Sequence, residues 1–350
     1  MKEALYPLKR TLRPDPPRIF QIETILGCNL KCPACYIGSD VITRPKDVMS
    51  FERFQEVVEK IRPYAQYVYL HMWGEPLLHK RIFDMIALVK PFAKVNISSH
   101  AQSLDAAKAE RIVAAGVDDF IVSLDGIEQG TYEVYRKGGR VEKCLAAIEH
   151  LVAAKERLHS PINIIVQFIV MKHNEHEVPR LKEMFKHRPV QLSLKGMYVQ
   201  SYEQAVQFMP SLKEYHRYTM GDGRLELVAN RVRCGAAFGT FTVVVNGDVV
   251  QCCFDSSGEV KIGNIFESTV EEIWYGEKAL ALRETFLSGR LNPVCNSLKC
   301  GMGREGEMVE ATLLNRAVAL VGRTMLPVID RSPATKQLLR RVYTAVSGGA

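Results

Sequence analysis

Two rhythms of apolar and polar residues take turns along this chain. Short apolar runs read as strands over Ile19–Ile25, Tyr67–Met72, Lys94–Ser98, Phe120–Leu124, Ile162–Val170 and Val190–Leu194. Between them, apolar residues recur at helical spacing over Phe51–Ile61, Arg81–Val89, Leu104–Ala115, Val141–Arg157 and Val178–Lys186. Ser50 stands as N-cap of the first helix, with Arg53 where a capping box places Glu, and Gly116 stops the third. Six strands alternating with five helices imply a parallel sheet with helices outside. Six are too few to close an eight-stranded barrel, so the predicted fold is α/β, an open partial (β/α)6 TIM-type barrel. The fifth strand is apolar almost throughout and is expected to be buried on both faces.

The pattern changes after about residue 200. Residues 201–230 are polar and irregular and read as a linker with some helix. Phe241–Val245 and Val249–Cys252 flank Asn246-Gly247, a strong hairpin signal. Thr269–Trp274 and Lys278–Phe286 look helical, as do Leu313–Leu320 and Thr335–Ala345, which lie among Arg323, Arg331, Lys336, Arg340 and Arg341. The organisation expected is an N-terminal lead (1–18), the barrel (19–200), the linker (201–230), a small α+β domain with a β-hairpin (231–303) and a helical C-terminal tail (304–350). The tail reads as a capping helix pair; contact with a membrane surface or a partner is the alternative.

Composition narrows the classes. The 350 residues are 47% hydrophobic and 24% charged, which suits about two globular domains. Lys and Arg number 46 against 39 Asp and Glu, a net +7 without like-charge blocks. That excess mildly favours an anionic substrate or surface, and nucleic acid is not expected. The longest apolar run, Ile162 to Met171, contains Asn163 and Gln167 and is about half a membrane span. The first residues carry charge and proline rather than a secretory core, so a cytoplasmic protein is expected. Nine cysteines, an odd number without an export signal, argue against a disulfide framework and for metal ligation.

Cys28, Cys32 and Cys35 form C-x3-C-x2-C directly after the first strand. Thiolates select zinc or iron–sulfur clusters. Three local thiolates with no nearby His would leave one iron of a four-iron cluster open to substrate, while a distant fourth ligand would complete a zinc loop instead. The loop, Tyr36 after its third cysteine, and Trp73-Gly74-Glu75-Pro76 at the end of the second strand resemble the radical S-adenosylmethionine (SAM) superfamily. The resemblance implies that Cys28, Cys32 and Cys35 hold a [4Fe–4S] cluster whose open iron chelates SAM. One-electron cleavage would then give a 5′-deoxyadenosyl radical that takes hydrogen from a substrate. It further implies that Gly74, Glu75 and Pro76 meet the SAM amino group, that Ser98 and Ser99 reach the ribose, and that Ser123-Leu124-Asp125-Gly126 is the S-x-D-G segment. Arg136 would pair with the SAM carboxylate. Ser98, Ser99 and Asp125 have the alternative role of helix caps.

Cys234, Cys252, Cys295 and Cys300 make a second set. With Gly247 five residues before Cys252, then Ile262-Gly263-Asn264-Ile265, Glu272-Ile273-Trp274, Arg283 and Gly289, they resemble the SPASM/twitch extension of radical SAM enzymes. The resemblance implies a second, auxiliary [4Fe–4S] cluster, in the one-cluster twitch form because five late cysteines are too few for two. The closing pair here is C-x4-C rather than C-x2-C, and Cys253 is a spare thiol. A zinc site is the alternative. Cys144, inside a helical pattern, reads as a small buried hydrophobe.

The expected function is therefore oxidation or rearrangement of a small molecule by a radical SAM oxidoreductase, with flavodoxin or ferredoxin as electron donor. Only 27 residues precede Cys28, which leaves no room for the leader-binding domain of about 80 residues that peptide maturases often carry. A maturase acting on a ribosomally made peptide is the second reading, and a non-catalytic metal-binding scaffold the third. Asp125, Gln167, Lys195 and Tyr198 are candidate substrate contacts or proton acceptors, Lys195 and Asp125 being the catalytic candidates. His71, His79 and His100 are expected to be structurally satisfied or exposed.

Overall fold

Local signals set the elements. In a computed structural model, which describes residues 11–227 and 235–296, Ser50 Oγ accepts the Arg53 N–H and opens the first helix where the sequence placed it. The elements run β1 (Ile19–Ile22), α1 (Phe51–Ile61), β2 (Tyr67–Tyr69), α2 (Ile82–Val89), β3 (Lys94–Ser99), α3 (Ala106–Ala114), β4 (Asp119–Ser123), α4 (Gln129–Tyr135), α5 (Val141–Arg157), β5 (Asn163–Val170), α6 (Val178–Phe185) and β6 (Gln191–Gly196). Strands β1 to β6 pair in sequence order and in parallel, the partial (β/α)6 barrel expected. The core between sheet and helices holds Phe54, Val57, Ile86, Ile112, Ile148 and Leu151, all fully buried. Cys144 sits there too, its thiol donating to the Ser123 carbonyl at 3.8 Å and pushed up to about 12 by burial.

The fifth strand differs from expectation. Ile164, Val166, Phe168 and Val170 are fully buried against the helices, whereas Asn163, Ile165, Gln167 and Ile169 are only half-buried. Those residues face the barrel lumen, which the apolar run had concealed. Register places Asn96 and Ser98 of β3, and Asp119 and Ser123 of β4, on the same face. Tyr67 on β2 reaches Asp119 two strands away, and Asn163 donates to Asp119 at 2.9 Å. Such reach across a sheet requires its concave side.

The region read as a linker is more ordered than its polarity suggested. It contains α7 (Tyr202–Phe208) and an antiparallel hairpin of β7 (Tyr218–Gly221) and β8 (Arg224–Leu227). Asp222 and Gly223 make the two-residue turn, with φ of 48° and 72°. Asp-Gly is the residue pair such a turn demands, and Tyr218, Met220, Leu225 and Leu227 alternate with other residues on either side of it, in strands of only four residues each.

Next come α8 (Ala236–Gly239), β9 (Thr240–Val243), β10 (Asp248–Val250), β11 (Lys261–Asn264), α9 (Val270–Trp274), α10 (Glu277–Leu287) and α11 (Pro293–Asn296). The hairpin expected at Asn246-Gly247 forms, with Gly247 at φ 86° and no room for a Cβ beside the Phe266 ring. Strand β9 pairs in parallel with β1, from Ile19↔Thr240 to Ile22↔Val243. The hairpin and β11 therefore extend the barrel sheet beyond β1 into nine strands. Arg283, 1% exposed, fastens the helices behind them: its guanidinium lies over Trp274 and donates to the carbonyls of Ala237 and Trp274. The C-terminal tail and its helices over Leu313–Leu320 and Thr335–Ala345 lie outside the described residues, as do Cys234 and Cys300.

Candidate active site

The three cysteines occupy the connection between β1 and α1, whose two ends are joined at the base by backbone bonds. Leu26 N donates to Asp47 O at 2.9 Å and Met49 N to Thr24 O at 3.0 Å. Two glycines let main chain approach this loop. A Cβ on Gly74 would stand 2.0 Å from Ile25 O, and one on Gly38 would stand 2.6 Å from the Cys32 backbone. Gly74 thus seats the second-strand motif on the loop, where Glu75 N donates to Gly27 O at 2.9 Å. Leu30 N donates to Cys28 Sγ at 3.4 Å, and Lys31 N to Lys137 O at 3.1 Å. Cys28 and Cys35 are half-buried and Cys32 is buried. Burial pushes the Cys28 thiol up to about 11, and the negative charges of Glu75, Cys32 and Cys35 add to it. Burial raises Cys32 too, against the lowering effect of Arg136.

Arg136 follows α4 and reaches this loop. Its Nε donates to Asp125 Oδ2 at 2.6 Å, and its Nη1 lies 3.8 Å from Cys32 Sγ. Asp125 is fully buried, and its other oxygen accepts Ile169 N at 2.7 Å. Its carboxylate is therefore committed to Arg136 and the β5 backbone. Glu75, 3% exposed, is committed as well: Leu77 N, Ser99 Oγ at 2.7 Å and His100 N at 3.0 Å all donate to it. Pro76 starts the short 3-10 turn Pro76–Leu78 that Glu75 caps. His100 Nε2 in turn pairs with Asn29 Oδ1 of the cysteine loop at 2.9 Å, and His79 with the Met49 carbonyl, so both are structurally satisfied as expected. Ser98 and Ser99 divide their work. Ser99 faces Glu75, while Ser98, on the lumen face, donates its N–H to His71 Nδ1 at 3.1 Å.

Several groups that the sequence left unassigned complete the site. His71 lines the lumen, where enclosure by protein pulls its imidazole down to about 4, helped by the charge of Lys195. Gln21 donates to the His71 carbonyl. Lys195 Nζ donates to Gln167 Oε1 at 2.6 Å from the facing strand. His173, on the loop after β5, packs its ring against Phe208 with both ring nitrogens buried and without a hydrogen-bond partner. Glu23, fully buried, takes a bidentate ion pair from Arg44 at 2.7 and 2.9 Å. Arg44 also donates to Ser256 O, so it ties the cysteine loop to the segment after β10. A charged residue inside an apolar strand run, as in Ile22-Glu23-Thr24, was the available signal.

An aromatic chain spans the mouth. Tyr36 packs edge-on to Trp73 with centroids 4.8 Å apart and stacks near Tyr198 at 6.0 Å; Tyr198 meets Phe254 at 6.0 Å. Trp73 Nε1 donates to Cys253 O at 2.8 Å. The chain runs from the residue after Cys35 to the residue after Cys253. Cys252 and Cys253 are half-buried after β10, and Cys295 on α11 is buried. The Cys295 thiol points at Gln251 Oε1 at 3.9 Å, and Asn292 bridges the two by accepting Cys295 N and donating to Gln251. Gln251 Nε2 is buried with no partner.

The donor chemistry fits the groups the sequence implied. Three soft donors on one loop, with a guanidinium and a backbone N–H beside them, suit a cluster with an open iron. Among the described residues no three Cys, His, Asp or Glu side chains converge on the geometry of a single ion. A cubane offers each thiolate a different iron, so its ligands stand wider apart than those of zinc. In the lumen, Ser98 is half-buried and Ser123 buried.

Comparisons with known proteins agree. The Radical SAM superfamily profile matches residues 22–185, and SPASM, an iron–sulfur cluster-binding domain, matches residues 234–301. Among curated proteins, the AdoMet-dependent heme synthase of Methanosarcina barkeri is 26% identical over 172 residues, 49% of this chain and 47% of that protein. The probable GTP 3′,8-cyclase of Methanocella arvoryzae is 24% identical over 295 residues, 78% of this chain and 92% of that protein. The chain thus spans about half the length of the first and nearly all of the second. Among solved structures, anSMEcpe with bound AdoMet gives a TM-score of 0.55 at 18% identity, over 75% of this chain and 82% of that one. BtrN in complex with AdoMet and 2-DOIA gives 0.51 at 17%, over 77% and 87%. At such identities these structures establish the fold alone. The loop, the motif that seats on it and the two profile matches lead to one assignment: the chain belongs to the radical SAM superfamily and carries a C-terminal SPASM iron–sulfur domain.

Proposed function

We propose that this radical SAM enzyme oxidises or rearranges a small polar molecule held in the barrel lumen, with the auxiliary cluster as redox partner. The observation that carries the reading is the lumen wall. Gln21, His71, Ser98, Ser123, Gln167 and Lys195 share the concave face, and below them Tyr67, Asn96, Asp119 and Asn163 close a hydrogen-bonded floor. Short hydroxyls and amides at several heights suit a ligand with several polar groups of its own. Bound cluster and SAM supply one-electron cleavage of the sulfonium and a carbon radical able to abstract hydrogen.

The chain's own residues have these roles. Cys28, Cys32 and Cys35 hold the first cluster, and Cys234, Cys252, Cys295 and Cys300 the auxiliary one. Arg136, kept in place by Asp125, presents its remaining N–H groups to the SAM carboxylate. Backbone carbonyls around Gly74 receive the SAM amino group, while Glu75 rigidifies the motif from behind. Ser98, Ser123 and His173 offer contacts to the ribose and base. Flavodoxin or ferredoxin serves as electron donor.

Among relatives, BtrN was solved with AdoMet and 2-DOIA, whereas anSMEcpe was solved with AdoMet and a peptide designated Cp18Cys. A peptide substrate is accordingly the second reading, favoured by the aromatic chain Tyr36–Trp73–Tyr198–Phe254 at the mouth, which could cradle an extended segment. The decisive experiment is deuterium transfer. Candidate substrates labelled at single carbons are incubated with reconstituted enzyme, SAM and dithionite, and 5′-deoxyadenosine is analysed by mass. Deuterium arriving from a small molecule supports the proposal; transfer only from peptides supports the second reading. Absence of SAM cleavage with both clusters intact favours a non-catalytic scaffold.

A further inference from the structure

The charges around the lumen do not balance. Each carboxylate that borders it is committed to a partner: Asp119 to Tyr67 and Asn163, Asp125 to Arg136, Glu23 to Arg44, Glu75 to Ser99 and His100. Lys195 is not paired in this way. Its ammonium donates to the neutral amide of Gln167, and among the described residues no carboxylate lies against it. A second cation is close. Arg217 donates to Gly196 O at 2.6 Å, and its charge bears on Lys195. This approach is built in, because Gly196 has no room for a Cβ: Tyr215 O would lie 2.1 Å from it. The segment carrying Tyr215 and Arg217 therefore packs directly over the end of β6.

Lys195 is exposed. A lysine enclosed by a bound substrate needs an anion or loses its charge. We propose that the substrate carries an anionic group, phosphate or carboxylate, that docks on Lys195 at the β5–β6 wall of the lumen. This rests on the reading of the lumen as the substrate chamber and names the chemistry of its occupant. It assigns Lys195 a charge-pairing role in place of the proton-acceptor role expected from sequence. Burial and Arg217 lower its pKa in the empty protein, and an arriving anion opposes both effects. Gln167 supports the contact by holding the ammonium against the wall.

The test uses the full chain, reconstituted anaerobically and saturated with SAM. Inorganic phosphate and, separately, acetate are titrated at constant ionic strength set with potassium chloride, and thermal unfolding is followed. Wild type, Lys195→Arg and Lys195→Gln are compared at equal iron content. The expected result is stabilisation of wild type by one of the anions, kept in Lys195→Arg and at least about ten-fold weaker in Lys195→Gln, as charge-assisted bonding requires. Arginine keeps the charge and cannot act as a base, so its rescue separates the two roles. A response to phosphate alone points to a phosphoryl substrate, and a response to acetate to a carboxylate. Equal responses of wild type and Lys195→Gln, or none to either anion, overturn the proposal. Formation of 5′-deoxyadenosine by the same wild-type preparation tests the enzymatic reading separately. A protein that cleaves SAM and ignores both anions overturns only the anion site.

Discussion

Trp73 and Cys253 are joined across the mouth of the barrel: the indole N–H of one donates to the backbone carbonyl of the other at 2.8 Å. The residue before the motif that seats on the SAM loop thereby grips the auxiliary-cysteine segment. Trp73→Phe keeps most of the ring and removes the donor, a loss of about 1 kcal/mol. We expect unchanged iron content with an altered electron paramagnetic resonance spectrum of the reduced auxiliary cluster. A spectrum identical to wild type would show that the bond does not position that cluster.

Gly74→Ala should be far more damaging than its size suggests, because the new methyl would meet the Ile25 carbonyl at 2.0 Å. Backbone must move, and the part that moves carries Cys28. Reconstituted iron should fall by about four per chain, the content of one cubane, with SAM cleavage abolished. Gly130→Ala is the control: nothing lies within 4 Å of its Cβ, and in α4 alanine is favoured over glycine. It should leave iron content unchanged and raise the unfolding midpoint slightly.

Replacing Asp125 by Asn leaves Arg136 without its anion inside the protein. Breaking such a pair typically costs about 3–5 kcal/mol. Chemical denaturation should show a loss of that order, and SAM affinity should drop at least about ten-fold, since the guanidinium is no longer fixed. Asp125→Asn with wild-type SAM affinity would argue that Arg136 does not meet the SAM carboxylate.

His71 gives a pH signature. Its Nδ1 must keep a lone pair to accept the Ser98 N–H, and its pKa is drawn down to about 4 from an ordinary 6.5. The unfolded chain then binds this proton more readily than the folded one, so stability is complete above about pH 6.5 and declines as pH falls towards 4. His71→Asn supplies an amide oxygen as acceptor and removes the titration. Unfolding midpoints measured from pH 4.5 to 8 should fall less steeply at the acid end for the variant. Parallel curves would place the acid sensitivity elsewhere.

Iron analysis checks both clusters together. Wild type should bind about eight irons, and a Cys28/Cys32/Cys35→Ala variant about four. Four falling to none would transfer the late cysteines to zinc.

The barrel was legible because its helices bury one stripe and its strands are short, apolar and separated by clear stops; α1 and α5 lie where periodicity placed them. The cysteine loop was legible because metal ligation fixes residue type and spacing together. The lumen was not. Ile165 and Ile169 look like core residues in sequence, and only the curl of the sheet shows that their neighbour Gln167 faces Lys195. The Glu23–Arg44 pair was hidden for a related reason: the partners are separated by the whole cysteine loop, and neither side chain announces the other. The hairpin at Asp222-Gly223 carried both its turn signal and alternation at Tyr218, Met220, Leu225 and Leu227, but its strands are only four residues long and stand in a polar stretch.

The ladder between Ile19–Ile22 and Thr240–Val243 also limits how this protein can be taken apart. A fragment ending before Thr240 would leave the strand that leads into Cys28 as an uncovered edge, open to pairing with other chains. A chimaera that exchanges the auxiliary segment for that of a relative would have to match four residues of β1, side chain for side chain. For engineering, the unit of exchange is therefore not the segment that bears the second set of cysteines but that segment together with the strand it is zipped to.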